Sequence, residues 1–388
     1  VPGAIDAFCR LSADWGRAGL ATSLAPAIHY AETGIPVAPR AAFDWEGGPN
    51  IFKGAARDFF LRDGAPLRAG DVFRAPGQAE VLRRVAAEGR DGFYDGEVAA
   101  DMVASLRALG GTHSLEDFAN TACDYGEPLS GTYGDLEILE HPPNGAGAIA
   151  LLILNILKNF SLSALDPRGV ERSHIEAEAA KLAMDARNRF IADPDHVTRM
   201  NHLLSQDTAD RLAGLIDPRR ATPMSPPGAE AVHKETVYIA VMDGDGMAVS
   251  LIYSIFDDFG SGMASDKFGI LFHNRGAGFT LTEGHPNEAG PGKRPMHTIL
   301  PGMLRKDGRI LGPFGVMGGG YQPQGHARLL TNMVDFGMDV QEAIDCPRVF
   351  AEGNVLHAER GMPEHVRSGL ADLGHDIAVR RVPIGGAQ

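Results

Sequence analysis

The spacing of apolar residues predicts a mainly helical first half of the chain. Apolar side chains recur at helical intervals over residues 78–88 and 97–109. A loop rich in proline and glycine then leads into an almost wholly apolar run at residues 148–157, which predicts an apolar helix. Residues 174–191 have the alternation of apolar and charged positions that is typical of an amphipathic helix.

The pattern changes at Thr236 and predicts strands. Residues 236–242 form a β-branched and apolar run, an Asp-Gly-Asp-Gly turn follows, and a second run covers residues 247–256. Two such runs joined by an Asp/Gly turn predict a β-hairpin. Further apolar runs predict short strands at residues 270–272 and 299–300. Helical spacing predicts later helices at residues 326–336 and 340–344. Helices, then strands, then helices again indicate an α/β (α+β) fold whose sheets lie between helical layers.

Residues 217–231 separate the helical pattern from the strand pattern. This segment holds several prolines and almost no bulky apolar residues, which predicts an exposed, flexible connection. It divides a mostly helical region, residues 1–235, from a strand-rich region, residues 236–388. The sequence starts at Val1 rather than Met. We therefore expect residues to be missing at both ends, so that the choice between a cytoplasmic and a periplasmic location stays open.

Composition and net charge limit the kinds of molecule that the chain is expected to bind. The 388 residues are 44% hydrophobic and carry a net charge of −14. That charge repels nucleic acid and acidic membranes, and no apolar run reaches the length of a membrane span. The three cysteines are odd in number and far apart, so they indicate neither a zinc site nor a disulfide framework.

Thr236 is the candidate nucleophile. It ends a polar, flexible segment and opens an apolar strand. If the peptide bond between Glu235 and Thr236 is cut, Thr236 gains a free α-amine that can act as the base for its own hydroxyl. A threonine at the start of a strand is common by itself, so the surrounding residues decide between the two interpretations.

Residues 236–260 contain a threonine that opens a strand, an Asp/Gly turn, Ala-Val-Ser, a second strand that ends in a hydroxyl residue, and Phe-Gly. This order resembles the γ-glutamyltransferase family. Other segments match the family in order, and they are residues 1–3, 93–96, 142–144, 152–157, 174–187, 259–262, 269–271, 292–295, 301–303, 315–320 and 345–348.

The resemblance implies a four-layer αββα sandwich of the N-terminal-nucleophile hydrolase type. It also implies autoproteolysis between Glu235 and Thr236 into a large and a small subunit that form one intertwined unit, with no cofactor and no metal. Ser254 matches a second hydroxyl that orients the nucleophile, although it also fits a solvated strand serine. Gly318 and Gly319 match the residues whose backbone N–H groups stabilise the oxyanion, and they also fit a tight turn before a helix.

The positions that read the substrate depart from the family. Phe256 stands where Asn or Glu is usual, Gly278 replaces the acid that meets the α-amine, and His297-Thr298 replaces a Ser-Ser pair that meets the carboxylate. A zwitterionic head group needs paired charges in a dry site, which Phe and Gly do not supply. This pattern resembles paralogues of the family that act as other amidases, including oxamate amidohydrolase and cephalosporin acylases.

Two functions of different classes remain open from the sequence. One is an amidase that acts on a small amide substrate through Thr236, with either water or an amine as acceptor. The other is an inactive paralogue that binds a ligand without turnover. Association of identical chains stays open as well. His285 and His297 are candidate pocket residues or loop histidines bonded to backbone, and His174 with Glu178 is expected to be a surface pair rather than a metal site.

Overall fold

The chain divides into two units that each contain residues from both sides of Thr236. The computed structural model describes residues 2–223, 236–353 and 355–388. The first unit covers residues 1–125 and 255–275, and the second covers residues 126–254 and 276–388.

The first unit is mainly helical. Its elements are the helices α1 (Ala4–Asp14), α2 (Leu20–Thr33), α3 (Pro39–Trp45), α4 (Gly48–Ile51), α5 (Ala56–Phe60), α6 (Pro76–Glu88), α7 (Asp91–Tyr94), α8 (Gly96–Ala108) and α9 (Leu115–Ala119), and the strands β1 (Ile35–Pro36) and β2 (Val72–Phe73). The helices predicted at residues 78–88 and 97–109 correspond to α6 and α8, so both are confirmed. Their apolar faces meet in a core that includes Val85 and Met102.

Residues 255–275 pack into this helical core. Phe268 is buried with the apolar faces of α6 and α8, and Gln78 Nε2 donates to the Gly269 carbonyl over 2.9 Å. The strand predicted at residues 270–272 is wrong: these described residues form only an isolated bridge, between Ala264 and Leu271. The apolar run is explained by packing between helices rather than by strand pairing, a distinction that a short run does not encode.

The second unit combines helices with sheets. Its helices are α10 (Gly147–Leu157), α11 (Val170–Phe190), α12 (Met200–Leu203), α13 (Gln206–Ala213), α14 (Gln322–Val334), α15 (Val340–Asp345) and α16 (Glu364–Asp372). Its strands are β3 (Leu129–Tyr133), β4 (Leu136–Glu140), β5 (Val237–Met242), β6 (Ala248–Tyr253), β7 (Pro301–Lys306), β8 (Arg309–Met317), β9 (Val349–Glu352), β10 (Val355–Ala358), β11 (Asp376–Val379) and β12 (Gly386–Ala387). The predicted helices at residues 148–157, 174–191, 326–336 and 340–344 are confirmed.

An antiparallel sheet in the order β12-β8-β7-β4-β3 forms the centre of the second unit. Strands β3 and β4 precede Thr236 in the chain, whereas β7, β8 and β12 follow it. The predicted hairpin is confirmed as β5 and β6, which pair from Val237 opposite Tyr253 to Met242 opposite Ala248. The strand predicted at residues 299–300 is displaced, because β7 begins only at Pro301.

Layers form on the two faces of this sheet. Neighbouring residues of a strand point to opposite faces. On β8, Phe314 lies against His326 of α14, with ring centroids 4.7 Å apart, while Gly315 lies under the ring of Tyr238 of β5. Helix α10 packs against β3 and β4. The second unit therefore stacks helices, the central sheet and the β5–β6 hairpin in successive layers.

Candidate active site

Thr236 and Ser254 lie side by side at the open end of the hairpin. Thr236 is the residue before β5 and Ser254 is the residue after β6, and both are half-buried. Because Val237 pairs with Tyr253, the hairpin register continues to Thr236 and Ser254. The Oγ1 atom of Thr236 lies 3.4 Å from the Oγ atom of Ser254, at the long end of hydrogen-bond range. Glu235, on the other side of the predicted cleavage site, lies outside the described residues.

Tyr238 fixes the strand that starts beside Thr236. Its side chain is buried, and its hydroxyl lies 2.9 Å from the Oγ atom of Ser250. Burial raises the pKa of the Tyr238 phenol to about 12, so the hydroxyl stays protonated and keeps this bond. The ring covers Gly315, where an added Cβ would come within 2.4 Å of a ring atom. A packed aromatic anchor thus lies two residues from the candidate nucleophile.

Gly318 and Gly319 join β8 to a helix. Gly318 has φ +133°, and an added Cβ would come 2.7 Å from the Ile384 carbonyl oxygen, so the position requires glycine. Gly319 has φ +55° and begins a 3-10 turn that leads into α14. The turn expected from the sequence is present. The unpaired N–H groups at the start of a helix favour negative charge, so the turn is compatible with an oxyanion site.

The contact between Tyr238 and Gly315 joins the strand that starts beside Thr236 to the strand that leads into this turn. Thr236 is two residues from the contact along β5, and Gly318 is three residues from it along β8. At the rise of a strand, these offsets correspond to about 7 Å and about 10 Å of chain. Each group is therefore tied to the same contact between the two layers.

Gly278, His297 and Thr298 also belong to the second unit. Gly278 and Thr298 are buried. The His297 backbone N–H donates to the Asn144 carbonyl over 2.8 Å, and its ring Nδ1 accepts from the Ile299 N–H at 3.3 Å. The loop around His297 is therefore held by its backbone, and one ring nitrogen supports the loop as well.

Phe256 lies in the first unit and does not continue the hairpin. The predicted strand to residue 256 is too long, since β6 ends at Tyr253 and Phe256 has φ +81°. Such a left-handed conformation interrupts an extended strand. The guanidinium carbon of Arg275 lies 3.4 Å from the centroid of the Phe256 ring, in cation–π geometry. Phe256 and Arg275 are distant in sequence, and no local pattern indicated this contact.

His285 is engaged by backbone through both ring nitrogens. Its Nε2 lies 2.9 Å from the Asn188 carbonyl oxygen, and its Nδ1 accepts from the Asn287 N–H at 3.0 Å. Of the two interpretations left open for this residue, these contacts favour a loop-structuring histidine.

The expectation of a surface pair at His174 and Glu178 is wrong. Both side chains are buried, and His375, distant in sequence, completes a group whose possible ligand atoms lie within 4.8 Å of one another. The ammonium of Lys181 already lies 2.6 Å from Glu178 Oε1 and 3.4 Å from His375 Nδ1. The Lys181 ammonium thus contacts the donor atoms that a metal ion would bind. We interpret these side chains as an internal hydrogen-bond network without a metal.

The electrostatics of this network agree with that interpretation. Burial, together with the neighbouring Lys181 and His174, lowers the pKa of His375 to about 4, so the imidazole is neutral at pH 7. His174 Nδ1 lies 2.8 Å from His375 Nε2, and His174 Nε2 lies 2.8 Å from the Asp217 carbonyl. A donor can be assigned to every contact when Lys181 donates to His375, His375 donates to His174 and His174 donates to Asp217.

Helices, a central sheet and a facing hairpin, with a threonine at the start of a hairpin strand, define the class of N-terminal-nucleophile hydrolases. The chain belongs to the gamma-glutamyltranspeptidase family, whose family model matches residues 1–388. The family and the fold class predicted from the sequence are therefore confirmed. Like the relatives that match it, the chain is an enzyme of amide-bond chemistry.

Three relatives illustrate the match. The chain is 34% identical to the glutathione hydrolase-like YwrD proenzyme of Bacillus subtilis and 34% identical to the oxamate amidohydrolase proenzyme of Klebsiella pneumoniae, in each case over 98% of this chain and 73% of the relative. The crystal structure of cephalosporin acylase from Bacillus halodurans superposes with a TM-score of 0.92 at 36% identity, covering 100% of this chain and 73% of that one. The chain thus spans about three quarters of each relative.

Within the residues that the structure describes, every helix falls short of the length and apolar character that a membrane crossing needs.

Proposed function

We propose that the chain is an amidohydrolase that cuts itself before Thr236 and then uses Thr236 as its nucleophile. The observation that carries the proposal is the pairing of Thr236 Oγ1 with Ser254 Oγ at 3.4 Å, at the start of a strand held by Tyr238. Two proenzyme relatives support self-processing by their names. The cut would separate the large-subunit region, residues 1–235, from the small-subunit region, residues 236–388.

The reaction proceeds through an acyl-enzyme. The Thr236 α-amine takes the hydroxyl proton while Oγ1 bonds to the amide carbonyl carbon, and Ser254 orients that hydroxyl. The backbone N–H groups of Gly318 and Gly319 stabilise the oxyanion. The C–N bond then breaks, the amine leaves with the proton, and water attacks the ester to release the acid and restore Thr236.

The acyl group we propose is small and not γ-glutamyl. Gly278 and Phe256 supply no charge where the family reads an α-amino acid head group, while His297 and Thr298 offer hydrogen-bonding groups to a small carboxylate. The relatives that support this choice are named oxamate amidohydrolase and cephalosporin acylase. Water is the acceptor in this proposal.

The first test is self-cleavage. Purified protein, incubated and run on a denaturing gel, should give two bands, and N-terminal sequencing of the smaller one should begin at Thr236. Thr236→Ala should remain one band, because it removes the hydroxyl. A single wild-type band after prolonged incubation would favour the inactive paralogue, and a Thr236→Ala protein that still splits before residue 236 would refute the nucleophile assignment.

The second test is turnover. Cleaved enzyme should hydrolyse oxamate or glutaryl amides faster than γ-glutamyl anilide. Efficient turnover of γ-glutamyl anilide would contradict the substrate argument based on Gly278 and Phe256, while leaving the role of Thr236 intact.

A further inference from the structure

Asn287 joins two segments that carry proposed substrate-binding residues. Its side chain is buried, at 7% exposure. The amide Nδ2 donates to the Gly278 carbonyl over 2.6 Å, and the amide Oδ1 accepts from the Met296 N–H at 2.9 Å. Met296 directly precedes His297. One side chain therefore links the backbone at Gly278 to the segment that presents His297 and Thr298.

Asn287 is itself held in place by its own backbone. Its N–H donates to the ring of His285 over 3.0 Å, and its carbonyl accepts from the Thr280 N–H at 3.0 Å. The other nitrogen of the His285 ring lies 2.9 Å from the carbonyl of Asn188, which belongs to α11. The link is thus tied to a long helix.

A second asparagine holds the same segment from the other side. Asn144 Nδ2 donates to the Pro295 carbonyl over 2.6 Å, and the Asn144 carbonyl accepts from the His297 N–H at 2.8 Å. The stretch from Pro295 to His297 is therefore fixed between Asn144 and Asn287. Fixing of this kind sets the position of a binding group to within a fraction of an ångström.

We propose that Asn287 is a positioning residue that sets the acyl-group selectivity of the enzyme. It fixes the spacing between Gly278 and the His297–Thr298 pair, and hence the size of acyl group that both sides contact together. This role rests on the proposed function above. Only an amide fits, because the side chain must donate at one end and accept at the other within the length of Asn.

The decisive variant is Asn287→Asp. It keeps the size and the acceptor for Met296 but replaces the donor to Gly278 with an oxygen, which repels the carbonyl. Loss of a buried hydrogen bond corresponds to about 5- to 150-fold in an equilibrium. We expect KM for the best substrate of the panel to rise about 5-fold or more, with kcat changed less. The ratio of kcat/KM between the best and the worst substrate should fall at least about 5-fold.

The matched control is Asn332→Asp. Asn332 is also buried, and its Nδ2 donates to the Ala343 carbonyl over 2.8 Å, between α14 and α15. Its variant loses the same kind of donor and lowers stability in the same way, but it should keep the wild-type substrate ratio. If Asn287→Asp does not fold, Asn287→Ala is measured instead, with the same expected loss of selectivity.

The outcomes separate this role from the proposed function. A wild-type chain that neither cleaves itself nor turns over any substrate of the panel overturns the proposed function and this role with it. Normal wild-type turnover together with an unchanged substrate ratio in the folded Asn287 variant overturns this role alone. An equal loss of selectivity in Asn332→Asp would reduce Asn287 to a general contributor to stability, and would also overturn it.

Discussion

At the scale of single residues, the position of Ser254 gives the proposed nucleophile an orienting partner. Replacing it with alanine removes the hydroxyl 3.4 Å from Thr236 Oγ1. A typical hydrogen bond contributes about 0.5–1.5 kcal/mol, so we expect kcat to fall about 3- to 10-fold. Self-cleavage should slow by a similar factor, as measured by band intensities over time on a denaturing gel.

Ser250 provides the control at the same scale. It is another hydroxyl of the hairpin, and its Oγ lies 2.9 Å from the Tyr238 hydroxyl rather than beside Thr236. Ser250→Ala should lower kcat less than Ser254→Ala does, since it removes no group in contact with Thr236 and leaves the Tyr238 ring packed on Gly315. Equal losses of kcat in both variants would show that Ser254 acts through hairpin stability alone.

At the scale of elements, the packing of β5 on β8 depends on a glycine, Gly315, which has no side chain. An alanine at Gly315 would bring its Cβ within 2.4 Å of the Tyr238 ring, so the two layers would have to move apart. Overpacking of this kind costs about 1–3 kcal/mol. We expect Gly315→Ala to lower the urea midpoint of unfolding and to slow self-cleavage, because Tyr238 lies two residues from Thr236.

Gly312 is the matched control on the same strand. Nothing lies within 4 Å of a Cβ added there, so Gly312→Ala should change the free energy of unfolding by less than about 0.5 kcal/mol. A Gly315→Ala protein as stable as Gly312→Ala would contradict close packing of the Tyr238 ring on Gly315.

The sequence predicted those elements whose periodicity matches their burial. The apolar helix at 148–157 and the hairpin after Thr236 are of this kind. It did not predict β3 and β4. The Ser, Gly and Thr of β3 weaken its strand pattern, and β4 is only five residues long, with its two glutamates three residues apart rather than in alternation. Apolar residues at 270–272 pack between helices instead, which local pattern does not distinguish from strand pairing.

The residues of the candidate site also divide into those that the sequence identified and those that it did not. Thr236, Ser254 and the Gly318–Gly319 turn were identified from the sequence because motif and spacing carry them, although their roles remain proposals. The sequence did not identify the role of Asn287 or the network of His174, Lys181 and His375. Both depend on contacts between residues that are distant in sequence. The burial of His174 in particular reverses an interpretation based on helical spacing alone.

At the scale of the whole molecule, both units are built from chain on either side of Thr236. In the first unit, Lys53 N–H donates to the Gly262 carbonyl over 2.9 Å. In the second unit, β4 pairs with β7, and the guanidinium of Arg305 contacts the Glu137 carboxylate through a bond of 2.6 Å from Nε to Oε2. That arginine, with Ser130, lowers the pKa of Glu137 to about 2, so the carboxylate remains charged at neutral pH.

Buried polar contacts add to the association. Arg172 Nη2 donates to Thr331 Oγ1 over 2.9 Å, and Arg328 Nη1 contacts Glu176 Oε2 at 2.5 Å, between α11 and α14. Buried pairs are screened little by salt, and separating them would leave uncompensated buried charge. Cutting one peptide bond before Thr236 removes none of these contacts.

We therefore predict that the cleaved subunits stay together. On size-exclusion chromatography the cleaved wild type should elute at the same volume as uncleaved Thr236→Ala, at low salt and in 1 M NaCl alike, and should separate only in denaturant. If the two subunits elute apart in buffer, the strands on either side of Thr236 do not hold the sheet together after cleavage. If they part only at high salt, half-exposed ion pairs such as Arg305 with Glu137 hold the subunits together, rather than the backbone ladder and the buried pairs.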